Sequence, residues 1–509
     1  RVVAPFTVAN SLRFDGSSSN LSRTKGTSDS TKIGTYSWWI KNSKFTGQNL
    51  IDCGDAFANS ASVYISSNNT LSVYARVSNT NVLVLETDRE FRDPSAWHNI
   101  VVAIDTTQST ASNRAKVYVD GVQQTSFSTE TYPDQNADLR FFTSSETEKI
   151  SSTVYETGGF FGGYMCEVVK VDGQALAPTS FGQFNNDSPT IWEPIDVAGL
   201  TFGTNGYYLD FEDSSNLGNN VAGGTDFTEN NIAATDQSTD TCTNNGCTWN
   251  TLIRSGATFS EGNLVYQAPS SNPVFGSLTT FGVNSGKWYA ECKYHAGSNH
   301  YGIIGIADEV FAVLSGLGSV NQTDLGKTGP ALGSDPQNCT VAYVINTGKI
   351  RNNNNNQDYG SGGGDGDIIN IALDRDNRKV YFGINGTYEN SGNPGSGSNG
   401  FDLSSQVTGD TYFLGVTNDT GASETILDFN FGSGFGLTAV PADGQTFVVG
   451  GNISASGNIR TMGHLNVSGQ AGGDITASRH IFAQGNISSS GNLKVDGKIT
   501  GSSHIIIEN

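Results

Sequence analysis

Apolar and polar residues alternate along short runs through the first two hundred positions of the chain. The runs are five to nine residues long, rich in Val, Ile, Tyr and Trp, and separated by turns of Gly, Asn, Asp and Ser. They include TYSWWIKN, NLIDCGD, ASVYISS, TLSVYARV, NVLVLET and HNIVVAID. In AKVYVDGV, Asp120 and Gly121 lie between alternating arms and predict a β-hairpin. Evenly spaced strands without helices predict a two-sheet β-sandwich over residues 1–212.

Two further regions follow. Residues 213–250 contain few apolar residues and show no period, which predicts a connector rich in Gly and Asn that lies over its neighbours. Runs typical of strands return over residues 251–449 and predict a second sandwich. The inserts RNNNNNQDYGSGGGDGD and NSGNPGSGSNG in this region are expected to form surface loops.

A six-residue rhythm runs through the last segment, residues 450–509. Branched apolar residues recur at Ile453, Ile459, Leu465, Ile475, Ile481, Ile487, Leu493, Ile499 and Ile505. A helix would repeat every three or four residues and a lone strand every two, so six indicates a short strand and a turn, as in a β-helix or an intertwined β-fibre. One chain could coil on itself, or three chains could wrap together. The phase shift after Leu465 and the small number of units favour a trimeric stalk whose core is formed by these nine residues.

Composition and charge exclude some partners. The 49 acidic residues outnumber the 28 basic ones, for a net charge of −21, and the basic residues form no cluster. A nucleic-acid binder needs a basic face, so nucleic acid is not an expected partner. No apolar run approaches the length of about 20 residues that crosses a bilayer, so membrane insertion is not expected either. Cys242 and Cys247 lack the second pair of ligands that a zinc site needs; a local disulfide and free thiols both stay open.

One group of carboxylates suggests catalysis. In ETDREF, Glu86, Asp88 and Glu90 would share one face of a strand, and glycosidases use such neighbouring carboxylates as nucleophile and acid. However, the intervening residues are polar and Asp93-Pro94 follows at once, as at a strand end that enters a turn. We therefore expect no enzyme, with these three carboxylates as the catalytic alternative.

Specific motifs resemble two known families. SAWHNIVVAIDTTQSTASNRAKVYVDGVQQTSF and GGYMCEVVKVDGQALAPTSF resemble the laminin-G/concanavalin A-like module, with a Trp-His pair, an Asp-Gly hairpin and a closing strand. GKWYAECKYHAGSNHYGIIGIADE, GDIINIALDRDNRKVYFGINGTY and DTYFLGVTNDTGASETILDFNFG resemble the SPRY domain in motif order. The resemblances imply a concanavalin A-like jelly roll and a SPRY-like sandwich, both of which serve as binding scaffolds.

The laminin-G resemblance also bears on candidate residues. It implies binding of carbohydrate or protein, with Ca²⁺ held by loop carboxylates in some members, although no ligand set can be matched to positions here. We therefore expect no cofactor, with Ca²⁺ in this domain as the alternative. By the same resemblance His98 is structural, and Asp210 and Glu212 in YYLDFED lie on an ordinary final strand rather than in a catalytic pair.

The whole combination resembles fibre proteins of tailed bacteriophages, particularly marine ones. The connector and the GNISASG repeat carry most of this resemblance. It implies a virion fibre or appendage protein at the virion surface, extracellular after release, whose partners are itself as a homotrimer, other virion proteins and a host-surface glycan or protein. The alternatives are a virion-associated polysaccharide depolymerase and a secreted bacterial adhesin.

Overall fold

The computed structural model describes residues 6–252, 257–268, 276–295, 302–311, 339–352, 355–418 and 425–432. By its contacts the chain divides into two units, Arg1–Gly450 and Gly451–Asn509. All described residues belong to the first unit. The nine predicted stalk residues, from Ile453 to Ile505, lie outside the described residues, so the trimeric stalk stays a prediction.

The structure confirms the predicted all-β class. The first strand of the first sandwich begins at Ser11. Its strands are β1 Ser11–Asp15, β2 Asn20–Thr24, β3 Ile33–Asn42, β4 Gln48–Ala56, β5 Asn59–Ile65, β6 Thr70–Val77, β7 Thr80–Glu90, β8 Trp97–Asp105, β9 Ala115–Val119, β10 Val122–Gln123, β11 Phe127–Thr131, β12 Thr147–Ile150, β13 Gly162–Asp172, β14 Gly182–Phe184, β15 Trp192–Pro194, β16 Tyr207–Leu209, β17 Thr228–Asn230 and β18 Gln237–Ser238. Short 3₁₀ turns lie at Ala111–Asn113, Pro178–Ser180 and Ala234–Asp236.

Two antiparallel sheets enclose the first core. One has the order β10-β9-β8-β3-β13-β1-β18, with β16 also paired to β13, and the other has the order β11-β7-β6-β5-β4-β12-β2-β17. Alternate residues of each strand point inward, and the core that they form includes Tyr36, Trp38 and Met165. The outer face of the β13 sheet is also covered, by the segment that contains Phe181 and Val197. Both faces of this sheet are therefore buried, which is why every residue of β13 is buried.

The hairpin predicted at Asp120-Gly121 is confirmed. Both residues have positive φ, 50° and 76°, and β9 pairs with β10 directly across the turn. The Oδ2 atom of Asp120 lies 2.8 Å from Nδ1 of His98, and Oδ1 accepts a hydrogen bond from the Asn99 backbone N–H. His98 thus braces the hairpin, in agreement with the structural role implied for it.

The connector is more ordered than its composition indicates. Within residues 213–250, β17 pairs with β2 and β18 pairs with β1, so this segment extends both sheets of the first sandwich. Its end enters the second sandwich, where the fully buried Trp249 packs edge-on against Phe429. Short edge strands depend on main-chain hydrogen bonds, and an apolar period does not reveal them.

A second sandwich follows, again antiparallel. Its described strands are β19 Thr258–Ser260, β20 Val265–Ala268, β21 Gly276–Leu278, β22 Lys287–His295, β23 Gly302–Asp308, β24 Thr340–Val344, β25 Lys349–Asn352, β26 Asn355–Asp358, β27 Ile368–Asp374, β28 Lys379–Ile384, β29 Thr387–Tyr388, β30 Phe401–Asp402, β31 Tyr412–Asn418 and β32 Thr425–Asn430. The sheets have the orders β19-β20-β32-β22-β27-β28-β29, with β30 on β28, and β21-β31-β23-β24-β25-β26. A search of the described residues for a helix long and apolar enough to cross a membrane finds none.

Candidate functional site

The central strand of the first sandwich is interrupted by a bulge. Cys166 of β13 pairs with Trp39 and Val169 pairs with Ser37, so two residues of β13 lie opposite one residue of β3. Met165 and Val168, three positions apart, both point into the core. The bulge therefore inserts one additional outward residue, Glu167.

The Glu167 backbone adopts a conformation that is unfavourable for its side chain. Its φ is 50°, in the left-handed region, which costs a residue with a Cβ about 1–2 kcal/mol. Regular alternation would direct this carboxylate into the apolar core, and the bulge turns it to the outer face instead. Bulges that redirect a side chain are frequent beside functional sites.

Strand β16 lies beside the bulge and supplies the next groups. Tyr207 and Leu209 point inward, whereas Tyr208 belongs to the outer cluster. The Tyr208 hydroxyl donates a hydrogen bond of 2.8 Å to Oε2 of Glu167. After the strand, Phe211 has a φ of 58° and is buried in the inner core.

These groups line a cavity of about 480 Å³. Its wall includes the carboxylates of Glu167, Asp196, Asp210 and Glu212 and the aromatic ring of Tyr208. The remaining lining residues are neutral or apolar: Phe6, Thr7, Val8, Ala198, Leu200, Phe202, Val221 and Ala222. We call it the acidic cavity.

Hydrogen bonds fix the walls of the acidic cavity. The Tyr208 N–H donates to the Asn220 side chain and the Val221 N–H donates to the Tyr208 carbonyl, which holds the 220–222 segment against β16. On another side, the Val8 N–H donates to the Thr243 hydroxyl. Phe202 stacks on Tyr208 with ring centroids 6.1 Å apart and an interplanar angle of 8°. The cavity is thus bounded by a braced aromatic pair and two anchored loops.

The electrostatics of the cavity centre on Glu167. Burial, together with the neighbouring Asp210, Glu212 and Asp196, outweighs the hydrogen bond from the Tyr208 hydroxyl and raises the pKa of this carboxyl from 4.5 to about 8. The side chain is only 5% exposed. At neutral pH Glu167 therefore holds a proton for most of the time and can donate a hydrogen bond or a proton into the cavity.

The three carboxylates singled out from ETDREF lie elsewhere. Strand β7 ends at Glu90, and its pairing with β6 shifts register between Glu86 and Glu90. Oε1 of Glu86 accepts a hydrogen bond of 2.7 Å from the Thr70 hydroxyl, and Asp88 accepts one from Ser126. Glu90 forms a surface ion pair with Arg92 at 2.8 Å. Each carboxylate is thus held by a separate local partner, and none lines the acidic cavity.

A second cavity, of about 240 Å³, opens between the sheets of the second sandwich. Its wall includes Trp288 from β22, Leu373 from β27 and Leu414 from β31, and the connector residues Asn244–Cys247 cover one side. The Trp288 side chain is 52% exposed, and its indole N–H donates 2.7 Å to the Ser285 carbonyl. Among the described residues that line this cavity there is no Asp, Glu, Lys, Arg or His, so they offer apolar contact but no strong acid–base group.

A cluster of oppositely charged side chains is sealed inside the core of the first sandwich. Glu148 lies 2.8 Å from Arg23 and 3.1 Å from Lys170, and it accepts a hydrogen bond from the Tyr36 hydroxyl. Burial raises the pKa of Glu148, but Lys170 and Arg23 outweigh burial and lower the value to about 2. Glu148 and Lys170 have no exposed surface, so this cluster stabilises the fold and cannot meet a ligand.

The structure also bears on metals and thiols. Among the described residues, no group of three or more His, Cys, Asp or Glu side chains is placed to hold one metal ion, so no step is derived through Ca²⁺. All six cysteines are free. The Cys242 sulfur lies 3.7 Å from that of Cys166, which precedes the bulge.

Comparison with known proteins agrees with the first sandwich. Residues 15–175 match the family profile of the concanavalin A-like lectin/glucanases superfamily, which confirms the concanavalin A-like resemblance of this region. No curated protein matches the chain.

Three solved structures show distant likeness to parts of the chain. The chain is similar to the SPRY domain of human HERC1, with 15% identity over 36% of this chain and 98% of that one and a TM-score of 0.27. It is similar to the heptameric SAP-like pentraxin of Limulus polyphemus, with 15% identity over 34% of this chain and 80% of that one and a TM-score of 0.26. The third structure is domain 4 of the extracellular arabinanase AbnA of Geobacillus stearothermophilus in complex with arabinotriose. The identity is 15% over 33% of this chain and 73% of that one, with a TM-score of 0.26.

The sequence did not predict the acidic cavity. Asp210 and Glu212 were assigned to an ordinary closing strand, whereas strand β16 ends at Leu209 and both carboxylates lie in the cavity wall. Glu167 was not singled out, because in the run GGYMCEVVKVD it is one polar position within a buried strand. The available signal was weak, because Lys170 and Asp172 are further charged residues in the same buried strand.

Proposed function

We propose that this protein binds a glycan in the acidic cavity and does not turn it over. The observation that carries the proposal is the cavity itself, whose 480 Å³ lies in the usual range for small-ligand sites. Carboxylates accept hydrogen bonds from sugar hydroxyl groups, and the Phe202–Tyr208 pair offers an apolar surface for the carbon–hydrogen face of a ring. The match to a superfamily of lectins and glucanases supports the same ligand class.

The biological setting of our proposal is a bacteriophage fibre. The repeat over residues 450–509 would form a homotrimeric stalk, attached to other virion proteins, that presents the two sandwiches to a host-surface glycan. The protein would then act at the virion surface and outside the cell after release. Presentation of three copies on one stalk would raise the avidity for a repetitive polysaccharide above the affinity of one site.

The test is glycan binding by the full chain and by paired variants. Asp210→Asn with Glu212→Gln preserves shape but removes two acceptor charges, and we expect binding to immobilised bacterial polysaccharides to weaken about tenfold or more. Glu86→Gln is the matched control, because this carboxylate lies away from the cavity with Thr70 as its partner. If the double variant binds as tightly as the parent while remaining folded, the acidic cavity is not the glycan site.

Hydrolysis of the glycan is a second candidate function. It is favoured by one observation, the Glu167 carboxyl with a pKa of about 8 beside Asp210 and Glu212. A glycosidase needs such a protonated acid at the leaving oxygen and an ionised carboxylate as base or nucleophile. Release of reducing ends that Glu167→Gln abolishes and Glu86→Gln leaves unchanged would establish a depolymerase at the acidic cavity. Loss of release with Glu86→Gln instead would assign the chemistry to the β7 carboxylates.

A further inference from the structure

We propose that the acidic cavity selects a glycan with a free, protonated amine, an amino sugar rather than a neutral or acetylated one. This inference rests on the proposed glycan binding and names the chemical class of the ligand at that site. Four carboxylates line the cavity, and no described lining residue is Lys, Arg or His. Asp196, Asp210 and Glu212 would attract a cationic ligand, which could also donate a hydrogen bond to Glu167, whereas a neutral ligand would gain no such attraction.

The hydrogen-bond partners of Glu167 support a cationic ligand independently of the number of carboxylates in the cavity. Although 95% of its surface is buried, its Oε2 atom has the Tyr208 hydroxyl as partner and its Oε1 atom has no donor among the described residues. Other buried carboxylates of the first sandwich contact a basic side chain, namely Glu146, Glu148 and Asp240. Buried Asp52 and Asp172 each accept backbone N–H groups instead. Glu167 has neither kind of partner, and it faces a cavity into which a ligand can bring one.

The arrangement suits an organic cation better than a metal ion. A metal requires several oxygens to converge on one point, and the described residues contain no such group. The cavity carboxylates instead surround a volume that can hold a sugar ring. An ammonium group on the ring can donate to Glu167 while the ring lies near Phe202 and Tyr208, whose faces attract cations.

The experiment compares two probes of equal length, the glucosamine tetramer with free amines and the N-acetylglucosamine tetramer. Titration calorimetry with the full chain at about pH 6, where the amines are protonated, should show at least about tenfold tighter binding of the free-amine tetramer. Glu167→Gln and Asp210→Asn should each reduce this preference, and Glu86→Gln should retain it. Asp196→Asn, at an exposed position, provides a cavity variant that does not disturb the buried strand.

The outcomes separate the two proposals. Equal binding of both tetramers, lost in the cavity variants, would overturn the amine preference and leave glycan binding in place. Absence of binding to both tetramers and to the bacterial polysaccharides would overturn the glycan function itself. Saturable binding of CaCl₂ alone that Glu167→Gln removes would replace the amine with a metal. Preference for the free-amine tetramer that all cavity variants retain would place the amine site elsewhere on the chain.

Discussion

Substitution of Glu167 by Gln should change how the stability of the first sandwich depends on pH. The folded protein raises the pKa of Glu167 from 4.5 to about 8, so between these values the folded state holds a proton that the unfolded state has released. Unfolding then releases a proton, and the free energy of unfolding falls as the pH rises through this window. Below pH 4.5 both states are protonated and the difference vanishes.

The magnitude follows from the shift. Each pKa unit corresponds to about 1.4 kcal/mol, so a shift of this size destabilises the parent protein by roughly 3–5 kcal/mol at pH 8 and above. Gln keeps the shape of the side chain and is neutral in both states. Glu167→Gln should therefore match the parent in stability near pH 4 and exceed it by roughly 3–5 kcal/mol at pH 8.

The assay is urea unfolding monitored by tryptophan fluorescence at pH values from 4 to 9. It is carried out on the parent protein, Glu167→Gln and Glu86→Gln. The comparison must be made variant against parent, because burial also raises the pKa of Asp52, to about 7, and this group contributes to the pH dependence of both proteins. The Glu86→Gln curve should run parallel to the parent. If the curve of stability against pH for Glu167→Gln also runs parallel to that of the parent, the Glu167 carboxyl is ionised in the folded protein. The conclusion that Glu167 is a protonated acid in the cavity is then wrong.

Three further predictions concern the scaffold. Glu148→Gln removes the anion between two buried cations and should lower the free energy of unfolding by about 3–5 kcal/mol in urea titrations. Gly121→Ala should lower the free energy of unfolding by about 2–4 kcal/mol in the same assay, because φ is positive there and the new Cβ would lie 2.4 Å from the Trp192 ring. Gly47→Ala is the control and should leave the stability unchanged, because its new Cβ would meet no atom within 4 Å. Deletion of residues 451–509 should reduce the mass in light scattering from three chains to one, and an intact chain that scatters as a single copy would refute the stalk.

The sequence predicts the scaffold better than the site. Alternation along short runs identifies strands such as β9 and β32, because their residues are buried and partly exposed in turn and the period of two is visible. The Asp120-Gly121 turn is also predictable, since its two positive φ values suit this residue pair. In contrast, β17 and β18 pair with strands more than 200 residues away, and no local pattern records such a partner.

The same limit applies to the thiols of Cys166 and Cys242. Their sulfur atoms lie 3.7 Å apart although 76 residues separate them in the chain. The sequence drew attention to Cys242 and Cys247 because they are close in number. Spatial proximity across a sheet face depends on the complete topology, so spacing alone could not identify the neighbour of Cys242.

Glu167 illustrates why a functional site can contradict the pattern that predicts the fold. The position combines a left-handed backbone, a buried carboxyl without a basic partner and three neighbouring carboxylates, each of which costs stability. Gly would relieve the backbone at this bulge and Gln would remove the charge, and either would fit the scaffold with less strain. Because the bulge directs Glu167 out of the core and into a lined cavity, these unfavourable contributions coincide with a place where a bound cation could offset them. A purely structural bulge would not require acidic groups around it, and binding of the proposed amine-bearing glycan would account for them.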